Sequence, residues 1–416
     1  MSVPEAVRVI QDAIARGNYG RADLLCWRTM EALPEFAWAP LLLAETALKI
    51  GEVENGQAFC AKAAALLAKY PDQATPDVRT ALDRISAALE DREPARKSGG
   101  YLLIKCWGYG FWSDVEHVIG ALLLAEMTGR TPVVHWGGNS YFTDDDTADA
   151  FGTFFEPLAP ISLDELAEVS DEIYPPKWNR NNLAANGLNV WEGDGARFSG
   201  LYLLNRSERI VVADFFIQVL ELLPWLPESH WLHGADAMTA IRLLYEKYFT
   251  LRPAIQNEID EFRAAQFDGN PVFAVHVRSL DKGREDPSFL RDNADMLPVL
   301  DEALAKDTTL RLFLMTDSAR VLDEYAERYG HRVFNTDCAR TDGIVPVTWK
   351  DTEARHRLGV EVIKDTYIAA ACERFIGYGG SSVACMVACL KRWPDGACLL
   401  LGDNIKTRRN WLLHDW

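Results

Sequence analysis

Residues 271–278 read PVFAVHVR, a run of apolar, β-branched and aromatic residues that closes on a histidine and an arginine. A run of that length and type is a buried strand. The same kind of run returns downstream as LRLFLMT (310–316), HRVF (331–334), RFIGYG (374–379) and ACLLLG (397–402). Between these runs, residues 295–305, 319–329, 353–372 and 383–391 carry helical spacing. Strands that alternate with helices imply a doubly wound parallel sheet. Alternation along the first of these strands predicts His276 and Arg278 on one face and Val275 and Val277 on the other. Polar residues at the carboxyl end of a buried parallel strand either point towards a ligand crevice or simply stand at a solvated strand end.

The pattern extends upstream. YLLIKC (101–106) is followed by a glycine-rich turn, a helical pattern to Thr128, and TPVVHW (131–136), which together predict a parallel crossover unit. Residues 139–200 are irregular, Ile210 to Val212 read as a strand, and 215–224, 235–250 and 254–267 read as helices. Residues 1 to about 94 are helical throughout, with apolar residues at three and four spacing in Val7-Ile10-Ala13-Ile14 and Leu41-Leu42-Ala44-Leu48. Gly17, Tyr19, Ala22 and Pro34 stand at offsets that resemble the second helix of a tetratricopeptide (TPR) repeat, though a plain helical bundle fits the same periodicity. EDREPARKSGG (90–100) reads as a linker. The expected organisation is an all-α TPR-like domain over 1–96, a Rossmann-like domain over 100–265 and a second Rossmann-like domain over 266–416. The two α/β domains are expected to face a cleft, the default ligand site.

Composition narrows the class. The chain has 416 residues, 48% hydrophobic and 25% charged, with a net charge of −18. Such a chain buries sizeable cores and is not intrinsically disordered. An acidic surface argues against nucleic acid as the main partner. No run of about 18 uncharged apolar residues occurs, so no membrane span is expected. The N-terminus, MSVPEAVRVIQDAIARG, is amphipathic and lacks the order of a secretory signal. The eight cysteines are scattered without a CxxC pair, which fits reduced thiols in a cytoplasmic protein and no zinc site.

Three stretches carry candidate chemistry. CWGYGFWSDVEHV (106–118) is a glycine turn between strand and helix, where backbone N–H groups can approach an anion. It is neither GxGxxG nor a Walker A loop, and a plain strand-to-helix turn has the same pattern. In VFAVHVRSLDKGRED (272–286), Arg278 offers a bidentate clamp for a diphosphate. The loop after it holds Asp281, Lys282, Arg284, Glu285 and Asp286, which could set a carboxylate beside a reacting hydroxyl or form a solvated charge cluster. In the third stretch, Asp365 precedes GYGGSSV (377–383), where Ser381 and Ser382 open a helix after a strand. They either bind an anion or simply cap the helix. Asp365 has its own structural alternative, pairing with Lys364 or Arg357 in the same helix. Asp144-Asp145-Asp146 resembles a metal-binding DxD, but it lies in a polar loop rather than after a nucleotide-domain strand, and no metal site is expected there.

Four segments occur in order: KCWGYGFWSDVEHVIGALLLAEMTGRTPVV (105–134), HVRSLDK (276–282), LFLMTDSARVL (312–322) and GVEVIKDTYIAAACERFIGYGGSSVACMV (359–387). Together they resemble the α1,6-fucosyltransferase family that includes the rhizobial NodZ enzyme and the core fucosyltransferase of N-glycans, and more distantly protein O-fucosyltransferases. The resemblance covers roughly residues 100–402 and leaves out the N-terminal helices. It implies a GT-B fold and inverting, metal-independent transfer of fucose from GDP-fucose to a glycan or glycosylated acceptor, with no cofactor. It places Gly108, Tyr109 and Gly110 near the β-phosphate, His276 and Asp365 on guanine, Arg278 on the diphosphate, and Ser381 or Ser382 on the β-phosphate. Lys282 matches a lysine of the catalytic loop. The family's catalytic glutamate falls on Asp286, with Glu285 beside it, so the base is one of two carboxylates. Ser279 stands where close relatives often have a second arginine. The thirteen tryptophans suit sugar faces as well as cores. The helical domain is expected to bind the acceptor or a protein partner. Two other readings fit the sequence: a transferase of this fold with another nucleotide sugar, and a non-catalytic TPR-type scaffold with a relict transferase domain.

Overall fold

The computed structural model describes residues 3–92, 99–106, 108–145, 148–185, 199–278, 289–341 and 354–408. The chain divides into two compact units. One holds Met1–Lys105, Gly120–Val133 and Ile161–Gly234; the other holds Cys106–Ile119, Val134–Pro160 and Ala235–Trp416.

The first unit begins with five helices: α1 (Val3–Ala15), α2 (Tyr19–Ala32), α3 (Trp38–Ile50), α4 (Val53–Lys69) and α5 (Pro76–Glu90). Each packs on the next. Asn18 caps α2 by accepting the Arg21 N–H, and α3 stops at Gly51, whose φ of 83° is left-handed. These helices are not set apart at the charged stretch 90–100, because the compact division of the chain does not fall there. Their polar groups bond directly to residues 199–225. The Tyr19 N–H donates to the Tyr202 hydroxyl at 2.8 Å. One carboxylate oxygen of Asp23 accepts the indole N–H of both Trp27 (2.8 Å) and Trp225 (3.1 Å). The Asn205 amide donates to the Ile50 carbonyl at 3.0 Å.

Four strands follow: β1 (Tyr101–Lys105), β2 (Thr131–His135), β3 (Ile173–Tyr174) and β4 (Ile210–Ala213), in sheet order β2-β1-β4-β3. β4 runs parallel to both β1 and β3. Helix α6 (Phe111–Thr128) links β1 to β2. The helix expected over 215–224 shrinks to Val219–Leu222 and a 3-10 turn at Leu223–Trp225. The reason lies in packing. A Cβ on Gly120 of α6 would stand 2.3 Å from the Ile217 carbonyl oxygen, so helix and chain meet backbone to backbone there.

The second unit holds a five-stranded parallel sheet: β5 (Val272–His276), β6 (Arg311–Met315), β7 (Val333–Phe334), β8 (Arg374–Tyr378) and β9 (Cys398–Leu401). The order β7-β6-β5-β8-β9 reverses between β5 and β8. One face buries Phe273, Val275 and Val277 with Met296 and Leu300 of helix 289–306 and Val321 and Tyr325 of helix 319–329. On the other face Phe262 of helix 253–266 stacks on Phe334 and meets Phe313 edge-on. Both faces are therefore covered, as the near-continuous apolar strands require. The alternation of strands and helices read from the sequence is present from 272 to 401, with helix 289–306 starting earlier than expected and continuing through Pro298. Among the described residues, no helix is long and apolar enough to cross a membrane.

Candidate active site

A doubly wound sheet takes its ligand outside the carboxyl ends of the two strands where the order reverses. Here those strands are β5 and β8. β5 ends on His276, which lies in register with Met315 of β6 and Gly377 of β8. His276 is buried. Burial, with the neighbouring Arg278 cation, pushes its pKa down to about 3, so the imidazole is neutral at physiological pH. Its Nδ1 meets no partner among the described residues. Arg278 lies beyond the last strand residue, so alternation governs His276 and no longer governs Arg278. The guanidinium donates to Asp317 Oδ2 at 2.7 Å, and the Arg278 carbonyl accepts from the Asn293 amide at 3.1 Å. Arg278 borders a cavity of about 230 Å³ with Val277, Asn293, Ser318, Val321 and Tyr325.

Asp365 lies on helix 355–371 and is only 8% exposed. Its Oδ1 accepts the Thr336 hydroxyl at 2.5 Å. Burial raises its pKa to about 6, against the lowering effects of the Thr336 bond and the Arg340 charge. Its two candidate structural partners are engaged elsewhere: Arg357 and Lys364 bond Glu258 at 2.8 and 3.1 Å. The carboxylate is thus fixed by a hydroxyl and has no ion-pair partner in its own helix that would explain its burial. Arg340 spans the carbonyls of Thr336 and Cys338 at 2.8 and 3.0 Å, which holds the segment carrying Thr336 in place.

The glycine turn is ordered from within. Gly108 has φ +86°, and a Cβ there would stand 3.0 Å from the Asn139 carbonyl oxygen. Its N–H donates to Asp114 Oδ1 at 2.9 Å, and the Cys106 thiol contacts Asp114 Oδ2 at 3.2 Å. The Gly108 N–H expected to meet a phosphate is therefore already spent on a buried carboxylate. Tyr109 is 55% exposed, and nothing lies within 4 Å of a Cβ built on Gly110. The first turns of α6 then reach two of the other stretches. The Trp112 indole donates to the Thr366 hydroxyl at 2.7 Å, next to Asp365. Glu116 accepts the Ser382 hydroxyl at 3.1 Å.

Ser382 opens helix 382–389 and Ser381 holds the N-cap position without making a side-chain capping bond. Simple capping therefore does not account for Ser381. The glycines before it are forced by crowding: a Cβ on Gly380 would stand 2.5 Å from the Tyr378 ring, and one on Gly379 2.6 Å from Ile405.

The structure thus gathers Gly108, Tyr109, Gly110, Asp365, Ser381 and Ser382 around the first turns of α6 and the helices that follow β7 and β8. His276 and Arg278 stand at the end of β5. Lys282, Glu285 and Asp286, with Ser279, Asp281 and Arg284, lie outside the described residues. So does Asp146; Asp144 accepts the His356 N–H at 3.3 Å at the start of helix 355–371. Three partners were not singled out from the sequence: Asp317 on Arg278, Thr336 on Asp365, and Lys406, whose ammonium contacts Ser382 and Glu116. Asp317 sits in the quoted segment 312–322, directly after a strand, and that position was the available signal. Thr336 and Lys406 carried none.

No protein-family model matches the chain. It is similar to nodulation protein Z of Sinorhizobium fredii, with 24% identity over 295 residues, 66% of this chain and 85% of that protein. It is similar also to nodulation protein Z of Bradyrhizobium diazoefficiens, with 26% identity over 241 residues, 53% of this chain and 60% of that protein. Among solved structures, it is similar to NodZ α1,6-fucosyltransferase soaked with GDP-fucose, at 21% identity and TM-score 0.48, covering 70% of this chain and 92% of that one. The family resemblance read from the motifs is met again in the two nodulation proteins.

Proposed function

We propose that the chain is a GDP-fucose-dependent fucosyltransferase of GT-B type. It transfers fucose to a glycan or glycosylated acceptor, with inversion and without a metal. One observation carries the reading. The motif residues His276, Ser381 and Ser382 flank the point where the strand order reverses, with Arg278 directly after β5. That is where elementary topology puts a ligand. The donor is the one that the motif resemblance over residues 100–402 implies, GDP-fucose.

The chemistry follows from the residues. As the bond from fucose to the diphosphate breaks, negative charge develops on the departing GDP. Arg278 meets it with a planar fork that a lysine lacks. Asp317 holds that fork at 2.7 Å and so fixes its plane before the donor arrives. The N-terminus of helix 382–389 adds backbone N–H groups and the positive end of its dipole. In this reading Arg278 and the helix meet the charge that a divalent ion would otherwise meet. Guanine presents two N–H donors on one edge, at N1 and the exocyclic amine. Asp365 is the acceptor for them, and Thr336 fixes one of its oxygens. His276, being neutral, has a single ring N–H to donate. The acceptor hydroxyl must lose its proton to a base. We assign that role to the loop of Lys282, Glu285 and Asp286, with one of the two carboxylates as base. The helices α1–α5 would serve the acceptor or a protein partner as a TPR-like layer, and the protein would act in the cytoplasm.

A donor screen with a hydrolysis readout over GDP- and UDP-sugars tests this reading. GDP-fucose is expected to be hydrolysed fastest, with chelator present. Preference for a UDP-sugar, or no turnover of any donor, would contradict it.

A further inference from the structure

Helix 382–389 has a lysine at its positive end. The Lys406 ammonium lies 2.6 Å from the Ser382 hydroxyl and 3.0 Å from Glu116 Oε2. The lysine is not there by the drift of a long side chain. Its backbone N–H donates to the Gly379 carbonyl at 3.0 Å, and the Gly379 N–H in turn donates to Leu401 at 2.7 Å. The turn after β9 is thereby stitched to the turn after β8. Its side chain is 13% exposed and that of Glu116 16%.

Cations belong at helix C-termini, because the N-terminus already carries partial positive charge. A lysine at the other end is disfavoured unless an anion beside it offsets the charge. In this structure Glu116 is that anion. A single carboxylate oxygen accepts both the Ser382 hydroxyl (3.1 Å) and the Lys406 ammonium (3.0 Å). An oxygen that takes a serine hydroxyl and a lysine at a helix N-terminus stands where a phosphate oxygen would stand. Beside it, Ser381 is 4% exposed and makes no capping bond, so its hydroxyl has no structural task at the helix start.

We propose that Lys406 is a ligand of the donor's diphosphate, and that Glu116 occupies its place until the donor arrives. This inference rests on the GDP-sugar reading and adds a residue and a competition to it. When the diphosphate binds, its oxygen replaces the Glu116 carboxylate on Ser382 and Lys406, and the Glu116 side chain swings away. No covalent step is involved.

Calorimetric titration of the full chain with GDP and with guanosine tests it, since guanosine has the base and no phosphate. Lys406→Met is expected to weaken GDP by roughly tenfold or more and to leave guanosine within about twofold, the signature of a lost charge-assisted phosphate contact. Lys406→Arg keeps the charge and is expected to retain most of the GDP affinity, which separates a lost ligand from a damaged fold. Glu116→Gln removes the competing charge and is expected to tighten GDP by roughly three- to tenfold with guanosine unchanged. Equal losses for GDP and guanosine in Lys406→Met, or weaker GDP binding in Glu116→Gln, would overturn the proposal. Wild-type protein that binds neither ligand would instead overturn the donor reading on which it rests.

Discussion

Asp365 is a carboxylate in a buried place, held by a neutral hydroxyl and raised to about 6 chiefly by its burial. In the role proposed for it, that makes base recognition dependent on pH, with a definite sign. Guanine N–H groups favour the ionised form, so binding releases the proton that Asp365 holds below pH 6. Affinity for guanosine is expected to rise with pH up to about 6, by up to about tenfold per unit, and to level off above. Guanosine is the right probe, because it has no phosphate to titrate in that range. His276 adds no second step, since it is already neutral there. Asp365→Asn should flatten the profile; a wild-type affinity that does not change between pH 5 and 7 would remove Asp365 from base recognition. At this scale the sequence shows the residues that carry charge to a ligand and hides the residues that hold them. His276, Arg278, Ser381 and Ser382 stand at strand and helix ends that hydrophobic patterning marks, and Asp365 stands within a helix that it marks. Their partners come from segments brought close only by folding: Thr336 lies 29 residues from Asp365, Asp317 39 from Arg278, and Lys406 24 from Ser382. Nothing in local spacing records such pairings.

Among elements, those marked by an apolar run or a helical period were legible, the short strands 210–213 and 333–334 included, and those without such a pattern were not. The strands at 272–276, 311–315 and 374–378 and the helix 319–329 lie within a residue or two of where patterning puts them. The two-residue strand Ile173–Tyr174 and the single turn Phe151–Phe154 are too short to show a period. The expected helix at 215–224 fails for a physical reason, the approach of Gly120 to the Ile217 carbonyl. A helix continued through Ile217 would have to place that backbone differently against α6. This contact also makes a prediction. Gly120→Ala puts a methyl group 2.3 Å from a backbone oxygen, and neither side is a flexible side chain that could turn aside. We expect destabilisation of about 1–3 kcal/mol, read as a lowered midpoint in denaturant. Gly110→Ala, with nothing within 4 Å of its Cβ, is the control and should leave the midpoint in place. Equal midpoints for both variants would show that α6 and residue 217 do not pack as described.

For the whole molecule, composition predicts a folded acidic chain and patterning predicts helices followed by α/β structure, and both are found. The division of the chain is different from a linear reading. A cut at the charged stretch 90–100 follows composition, yet the N-terminal helices share a compact unit with residues 101–105, 120–133 and 161–234. The glycine turn and the first turns of α6 belong instead with the five-stranded sheet. That assignment depends on contacts such as Trp112 to Thr366, 254 residues apart, which no local pattern reveals. It also unites the glycine turn with Asp365 and Ser382 in one unit, the one to which we assign GDP binding. Dissociation constants for GDP and UDP, measured for the wild type and for Asp365→Ala after circular dichroism has shown the variant folded, test that assignment. Uracil has a lone N3–H where guanine has two donors, so it uses the carboxylate only in part. The wild type is expected to prefer GDP. The variant is expected to lose roughly ten- to hundredfold in GDP affinity, about 1–3 kcal/mol for donors left unpaired, with UDP changed by less than about threefold. Equal weakening of GDP and UDP would rule out a guanine-binding role for Asp365.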